Sequence, residues 1–439
     1  MTLNNRSRLK KINTIFQSSI VTKVVSVLYV LINVPMVYNS LTAEQFAIWT
    51  ILTGLPVASQ FADLGIGNGL INTVSESYAE NNPEAIRKAV TNTSILLFLL
   101  STLILLVYLF FYHFIHWPKF FNLHSAGTEY ELKLSFSIMI LLFVINLPFS
   151  TVQRVQIAMQ RGHITNFWTI VGLLLSLIGN TICSVLESGL PMFVFVTLAG
   201  PVVSVILSWC YEFYILHPNL SPRALDYDLR SWSTILGQGR LWTAFQLSAF
   251  IGGGLDTIII AHYFSPTIVI QYSMMSRLYS GLLISPLYAA PTWPAFTDAI
   301  KNKDIGEGTR IFERNILIGS ILGIIGGLIL WFYGPMIIEL WLTKKLILDA
   351  NLVLGFSIWY FVSSIYSCVS SPMSGRETLA SLVTLSAIAA LISSLLKSSL
   401  LPNAGPGFVA VANSIGYGLM SLIVYLKMRS YLKYKLNLI

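Results

Sequence analysis

The sequence has few charged residues and no segment between its apolar runs that is long enough to form a soluble domain. Only 10% of its 439 residues are charged, against roughly 25% in ordinary soluble domains. Hydrophobic residues make up 55% and the mean hydropathy is +0.71. These values exclude an ordinary soluble protein and predict an all-α integral membrane protein.

Cysteines and catalytic motifs are also scarce. The three cysteines lie at positions 183, 210 and 368, and this scattered, odd set predicts neither a disulfide framework nor a metal site. No Ser-His-Asp set, Cys-His set or Walker sequence is present. Gly65-x-Gly67-x-Gly69 lacks the preceding strand and βαβ unit of a phosphate loop. We therefore expect no enzyme activity, no cofactor or metal, and no nucleic-acid partner for the net charge of +8.

Long apolar runs predict about twelve transmembrane helices, since one crossing takes about 20 residues. The predicted spans are 16–38, 43–62, 92–115, 134–153, 164–186, 191–215, 236–261, 267–290, 315–334, 350–371, 379–400 and 406–428. Similar orders of alanine, acid and base follow spans two and eight. This similarity suggests two parallel six-helix lobes, 1–218 and 219–439, as in some secondary transporters.

Lysine and arginine predict the orientation of the spans. Twenty of the 27 basic residues lie at the N-terminus, in the even-numbered loops or at the C-terminus. Five are assigned to the opposite side: Lys119, Lys133, Lys344, Lys345 and Lys397. Both termini are therefore expected in the cytoplasm.

Glycine and proline concentrate in four of the predicted spans. The positions predicted as hinges are Pro35, Pro56, the triplet Gly252, Gly253 and Gly254, and Pro286. Proline removes a helix hydrogen bond, and glycine permits local unwinding. Interrupted helices in matching places of two halves are typical of the moving, site-lining helices of transporters. The alternative is the general enrichment of these residues in membrane helices.

Asp256 and Arg277 are ionisable residues inside predicted spans. Such residues are costly in lipid unless they are paired or face water. Their predicted depths would let them meet or share water. Asp256 is therefore predicted to exchange a proton or hold sodium as a switch, and Arg277 to attract an anionic substrate. A fixed structural ion pair between the two helices is the alternative.

Other polar residues complete the predicted binding site. Lys23 lies inside span one, where it could hold a phosphate or extend to the membrane surface. Arg240 shares span seven with Asp256. The remaining predicted contacts to substrate are Gln246, Gln271 and Tyr272.

Several segments together resemble a known transporter family. LTAEQFAIWTI at 41–51, FADLGIGNGL at 61–70, LDTIIIAHYFSP at 255–266, QYSMMSRL at 271–278 and PTWPAFTDA at 291–299 are similar to the polysaccharide transporters of the multidrug/oligosaccharidyl-lipid/polysaccharide (MOP, MATE-like) superfamily. The O-antigen (Wzx-type) flippases are nearest in character.

The resemblance implies a bacterial inner-membrane flippase working by alternating access. Its substrate would be an undecaprenyl-pyrophosphate-linked O-antigen unit, moved from the cytoplasmic to the periplasmic leaflet. A proton or sodium gradient would drive it, and a polymerase and chain-length regulator are the partners such a role suggests. The alternatives are a MATE-type cation or multidrug antiporter and, from a different class, a membrane O-antigen polymerase or glycosyltransferase.

Overall fold

A computed structural model describes residues 3–54, 65–114, 126–228, 243–289, 292–301, 304–342, 346–374 and 379–436, with the single residues 63, 232, 237 and 241. Throughout these ranges the regular structure is helical, without strands. The chain divides into two compact units, Met1–Thr243 and Ala244–Ile439, called unit 1 and unit 2 below. The expected lobe boundary at 218/219 stays a prediction.

Unit 1 contains eight of the named helices. They are α1 Leu3–Ser40, α2 Ala43–Gly54, α3 Ile66–Ala79, α4 Pro83–Phe111, α5 Ala126–Phe149, α6 Thr151–Ala158, α7 Gly162–Val185 and α8 Leu190–Cys210. A π-helical turn, Tyr211–Leu216, extends α8, and short 3-10 turns follow at Pro218–Leu220 and Ala224–Asp226. Within this unit α7 packs against α1 and α8, and α8 also packs against α5.

Unit 2 begins with a helical stretch over residues 244–249, which continues through a π-helical turn, Phe250–Gly254, into α9 Asp256–Tyr263. The helices that follow are α10 Pro266–Leu282, α11 Ser285–Ala289, α12 Thr292–Lys301, α13 Ile305–Leu342, α14 Ala350–Ser370, α15 Leu379–Ala404 and α16 Phe408–Leu436. Within this unit α14 packs against α13 and α16, and α15 packs against α16.

Ten helical segments of the described chain are long and apolar enough to cross a membrane. They account for ten of the twelve predicted spans, and the protein is a multi-pass membrane protein. Predicted span two begins with the 12-residue α2 and continues into residues outside the described part. Predicted span eight corresponds to the 17-residue α10, which ends at Leu282 before the short α11.

Small residues allow neighbouring helices to approach closely, as is common in membranes. A Cβ atom on Gly323 of α13 would lie 2.9 Å from the Phe361 carbonyl oxygen of α14. A Cβ atom on Gly172 of α7 would lie 3.0 Å from the Pro201 Cα of α8. A Cβ atom on Gly323 would therefore force the two helices to shift, and one on Gly172 would require its neighbour to move by a few tenths of an ångström.

Caps fix the starts of two long helices. The Asn82 side chain accepts a hydrogen bond from the Ala85 backbone N–H at 3.0 Å and caps α4. The Asp349 carboxylate accepts from the Asn351 and Leu352 backbone N–H groups at 2.8 and 3.1 Å and caps α14. Both side chains satisfy backbone donors that the first helical turn leaves without intrahelical partners.

Candidate functional site: a buried ion pair in unit 2

The glycine triplet produces an irregular turn directly before Asp256. Residues Phe250–Gly254 form a π-helical turn, a distortion that is frequent at functional sites. Gly252 faces α15, and a Cβ atom there would lie 3.1 Å from the Ala390 Cβ. The absence of that Cβ lets α15 approach until the Lys397 Nζ donates a 2.6 Å hydrogen bond to the Gly252 carbonyl oxygen.

The Asp256 carboxylate is hydrogen-bonded on both oxygens. Lys397 Nζ donates to Oδ1 and forms an ion pair with it. Asn413 Nδ2 donates to Oδ2 at 2.7 Å, and the Tyr272 hydroxyl donates to the same atom at 3.1 Å. Asp256 is 2% exposed and Lys397 is 0% exposed. Water therefore does not screen this pair, and its attraction is correspondingly strong.

Three further helices supply the groups around Asp256. Tyr272 comes from α10, Lys397 from α15 and Asn413 from α16. On α15, Ser393 Oγ donates to Asn413 Oδ1 at 2.6 Å and orients the amide so that its nitrogen faces Asp256. We call Asp256, Tyr272, Ser393, Lys397 and Asn413 the Asp256 network.

Tyr272 of the network lies beside a group of aromatic side chains in unit 2. Tyr272 contacts Phe356 with ring centroids 5.1 Å apart, and Tyr279 stacks on Trp359 at 6.2 Å. Trp359 in turn contacts Tyr417 at 5.3 Å. This apolar surrounding raises the cost of leaving either charge of the ion pair without its partner.

The Asp256 network has the chemistry to take up and release a proton. Its carboxylate and ammonium groups each have a protonated and a deprotonated form, while the amide and hydroxyl groups only orient them. No group of three potential metal ligands occurs in the part of the chain that the structure describes. In the observed arrangement Lys397 occupies the position beside the carboxylate that an external cation would take.

The structure places two basic residues, Lys397 and Arg277, differently from the sequence-based prediction. The charge count places Lys397 on the non-cytoplasmic side, but it lies inside α15 and is fully buried. The cation paired with Asp256 is Lys397 and not Arg277. Arg277 lies half-buried on α10. An isolated lysine in the apolar run LISSLLKSSLL was the signal that could have identified the true partner.

The three other predicted contact residues of unit 2 have different surroundings. Gln271 is buried, and its Oε1 accepts a 2.9 Å hydrogen bond from the Asp349 backbone N–H. Tyr272 is buried against Asp256. Gln246 is half-buried, and its Oε1 is a buried acceptor with no hydrogen-bond partner among the described residues. Gln246 Oε1 therefore keeps its full acceptor capacity for a bound molecule.

The predicted site residues outside the network are dispersed. Lys23 is exposed on α1. Arg240 and the predicted hinge Pro56 lie outside the described residues. Pro35 does not interrupt its helix, because α1 continues through it to Ser40. Pro286 is exposed in the short α11, which follows the break after α10.

Unit 1 contains a second buried polar cluster, which the sequence did not suggest. Asn180 Nδ2 on α7 donates to Asn33 Oδ1 on α1 at 2.9 Å. Asn180 also exchanges hydrogen bonds with the Thr197 hydroxyl on α8 at 3.0 and 3.1 Å. Trp49 Nε1 on α2 donates to the same hydroxyl at 3.2 Å. Asn33, Trp49, Asn180 and Thr197, with Ser176, form what we call the Asn180 network, which is neutral.

Comparisons with known proteins support a transporter architecture. Residues 18–182 match the MatE family model. No curated protein matches the sequence. Among solved structures, the inward-facing conformation of a multidrug resistance MATE family transporter of the MOP superfamily is similar with a TM-score of 0.79 and 13% identity. That similarity covers 93% of this chain and 95% of the other. This chain has the fold of the MATE transporters.

Two further structures support the same fold. A MATE protein in the bent conformation has a TM-score of 0.65 and 14% identity, over 97% of this chain and 96% of its own. A MOP superfamily transporter from Pyrococcus furiosus, described by a reversed polarity of its binding pocket that suggests a different function, has a TM-score of 0.69. It is 13% identical over 97% of this chain and 96% of its own. The predicted fold class is confirmed, whereas the O-antigen branch stays a prediction.

Proposed function

We propose that this protein is a MATE-type exporter of amphipathic organic solutes, driven by an ion gradient through Asp256. The observation that carries the proposal is a buried Asp256–Lys397 ion pair in two helical segments able to span a membrane. Ionisable groups at such positions are costly and mark ion or substrate pathways. The MATE fold and the MatE match over residues 18–182 favour this class of substrate.

In this proposal Asp256 is the ion switch, and the turn at Gly252, Gly253 and Gly254 is where its helix changes shape. A π-helical turn leaves backbone groups that can exchange partners. The Gly252 carbonyl already accepts from Lys397, so movement at this turn would alter the ion pair directly. Bending at Pro56 and Pro286 is a further part of the proposal.

A second candidate is a flippase for an undecaprenyl-pyrophosphate-linked O-antigen unit. A specific observation favours it: Asp256 is already compensated by Lys397, while Lys23 is exposed on a membrane-spanning helix. The Lys23 charge suits an anionic headgroup better than an organic cation. Lys23, Arg277 and Arg240 would contact the pyrophosphate, and Gln246 would contact a sugar.

Transport by the purified protein in liposomes distinguishes the two candidates. One arm follows ethidium, a permanent organic cation, and the other follows a fluorescent undecaprenyl-pyrophosphate glycan by its accessibility in each leaflet. The exporter predicts protein-dependent ethidium transport and no movement of the glycan lipid. Glycan movement without ethidium transport would replace the exporter by the flippase.

The Lys23→Ala variant sharpens this test. If the substrate is a pyrophosphate lipid, loss of the ammonium group should lower its transport about tenfold, the effect of one charge-assisted hydrogen bond. An organic cation should be transported as fast or faster. Gln17→Ala is the matched control, because Gln17 is also exposed on α1.

A further inference from the structure

The two polar networks occupy corresponding positions in the two units. Asn33 lies seven residues before the end of α1 at Ser40, and Asp256 lies seven residues before the end of α9 at Tyr263. Asp256 and Tyr272 are 16 residues apart, and the same separation relates Asn33 to Trp49. The first two helices of each network therefore match in register.

The two later helices of each network match in the same way. Ser176 lies one turn before Asn180, and its hydroxyl donates to the Thr197 carbonyl 21 residues away. Ser393 lies one turn before Lys397, and its hydroxyl donates to the Asn413 side chain 20 residues away. Asn180 thus corresponds to Lys397, and Thr197 corresponds to Asn413. The two units therefore share one arrangement, in which the neutral Asn33 and Asn180 of unit 1 correspond to the charged Asp256 and Lys397 of unit 2.

We propose that Lys397 is a tethered counter-cation that holds Asp256 until a proton reaches the carboxylate, while the Asn180 network is a fixed brace. Lys397 is thereby a positioning residue for ion coupling, and the inference rests on the proposed function of Asp256. Both networks join equivalent helices, but only the charged one changes its net charge on protonation. The neutral network keeps its hydrogen bonds at any physiological pH, because amides and hydroxyls do not titrate there.

Protonation would break the pair for an electrostatic reason. A proton bound by Asp256 neutralises the carboxylate while Lys397 keeps its own proton, so the net charge of the pair rises from zero to plus one. An unpaired buried ammonium is costly, and α15 must shift so that Lys397 reaches water. Among the described residues, the other titratable groups that face Asp256 are Tyr272 of α10 and Tyr417 of α16. Neither tyrosine supplies a compensating negative charge near neutral pH.

Hydrogen–deuterium exchange of the full-length protein in nanodiscs tests this inference, with rates corrected for the intrinsic effect of pH. On acidification we expect faster exchange in α9 and α15 and unchanged exchange at the equivalent positions of α1 and α7. The double variant Asp256→Asn, Lys397→Asn gives unit 2 the neutral chemistry of unit 1. It should show no pH response in α9 and α15.

Unchanged exchange of α9 and α15 in the natural sequence would overturn the inference. An equal response in α1 and α7, or a pH response that survives in the double variant, would overturn it as well. If the double variant does not fold, infrared titration of the natural protein decides the question. A carboxylic-acid band that appears on acidification and is absent in Asp256→Asn supports the inference, and its absence from the natural protein contradicts it. Ethidium or glycan transport is measured separately, so failure of the proposed function is distinguishable.

Discussion

Three acid–arginine pairs of unit 1 differ from the Asp256–Lys397 pair of unit 2 in burial and in the segments that they join. In unit 1 the acids Asp63, Glu212 and Asp226 pair with arginines whose side chains are 18–23% exposed. Asp63 and Asp226 lie in connecting segments, and Glu212 lies in the π-helical turn after α8. In unit 2 both Asp256 and Lys397 are buried within apolar helices.

The difference in burial suggests a structural role for the three pairs of unit 1 and a functional role for the Asp256–Lys397 pair. When its acidic partner is removed, a solvent-exposed arginine can bind water instead. Each of these pairs in unit 1 therefore contributes only a small free energy to the attachment of its connecting segment. A fully buried pair gains little stability over apolar side chains, yet breaking it is expensive. At the corresponding positions unit 1 has the neutral amide side chains of Asn33 and Asn180, which are hydrogen-bonded to each other. The proposed ion coupling gives the charges of Asp256 and Lys397 a role that stability does not.

The largest expected effect comes from Lys397→Met. It removes the cation and leaves the Asp256 carboxylate buried, so the free energy of unfolding should fall by about 3–5 kcal/mol. Thermal unfolding in detergent, followed by tryptophan fluorescence, measures the loss. Lys133→Met is the matched control, because Lys133 pairs with Glu129 at 2.7 Å while 35% exposed, and it should cost at most about 0.5 kcal/mol. Equal losses for the two variants would contradict the comparison.

A smaller loss is expected from Asn180→Leu in unit 1. The change leaves Asn33 Oδ1 without its donor and removes the hydrogen bonds between Asn180 and Thr197. Burying unsatisfied polar atoms costs about 1–3 kcal/mol, and the loss should not depend on pH between neutral and mildly acidic conditions. Thermal unfolding at both pH values tests this, with Thr181→Leu at the adjacent exposed position as control. A loss that varies with pH would contradict the proposal that the neutral Asn180 network does not respond to pH.

Glu212→Gln should cost less, about 1 kcal/mol. Glu212 accepts a 2.6 Å hydrogen bond from Arg161 and a 3.1 Å hydrogen bond from Gln156. Glutamine keeps an acceptor for Arg161, and the arginine is 18% exposed and can bind water. Chemical unfolding measures the change, and Glu307→Gln in the exposed pair with Arg310 is the control. A loss as large as that of Lys397→Met would show that exposure does not separate the two classes.

The smallest expected effect is on the stability at acid pH that the Arg87–Asp226 pair contributes. The hydrogen bond from Arg87 lowers the pKa of Asp226 below its ordinary value. The stability from this pair is therefore present above the ordinary aspartate pKa of about 3.9 and is lost as the pH falls through the lowered value. In Arg87→Met the unfolding temperature should therefore depend less on pH below about pH 5. Arg310→Met, in the exposed pair with Glu307, should leave the profile unchanged, and an unchanged Arg87→Met profile would contradict this assignment.

Local sequence patterns predicted the helices but not the partners of Asp256. Apolar run length and the glycine triplet are properties of neighbouring residues, so the spans and the irregular turn could be anticipated. Lys397 lies 141 residues from Asp256, and Asn413 lies 157 residues away. Only the packing of α9, α15 and α16 brings them together, and Arg277 was the nearer cation in sequence.

Ion-driven transport by the natural protein and by Asp256→Asn tests the central claim most directly. Liposomes containing either protein are given ethidium or the pyrophosphate glycan lipid, with and without an imposed pH gradient. The account predicts that the gradient accelerates transport of one probe by the natural protein and has no effect on Asp256→Asn. The same gradient-driven acceleration in Asp256→Asn would contradict coupling through this carboxylate.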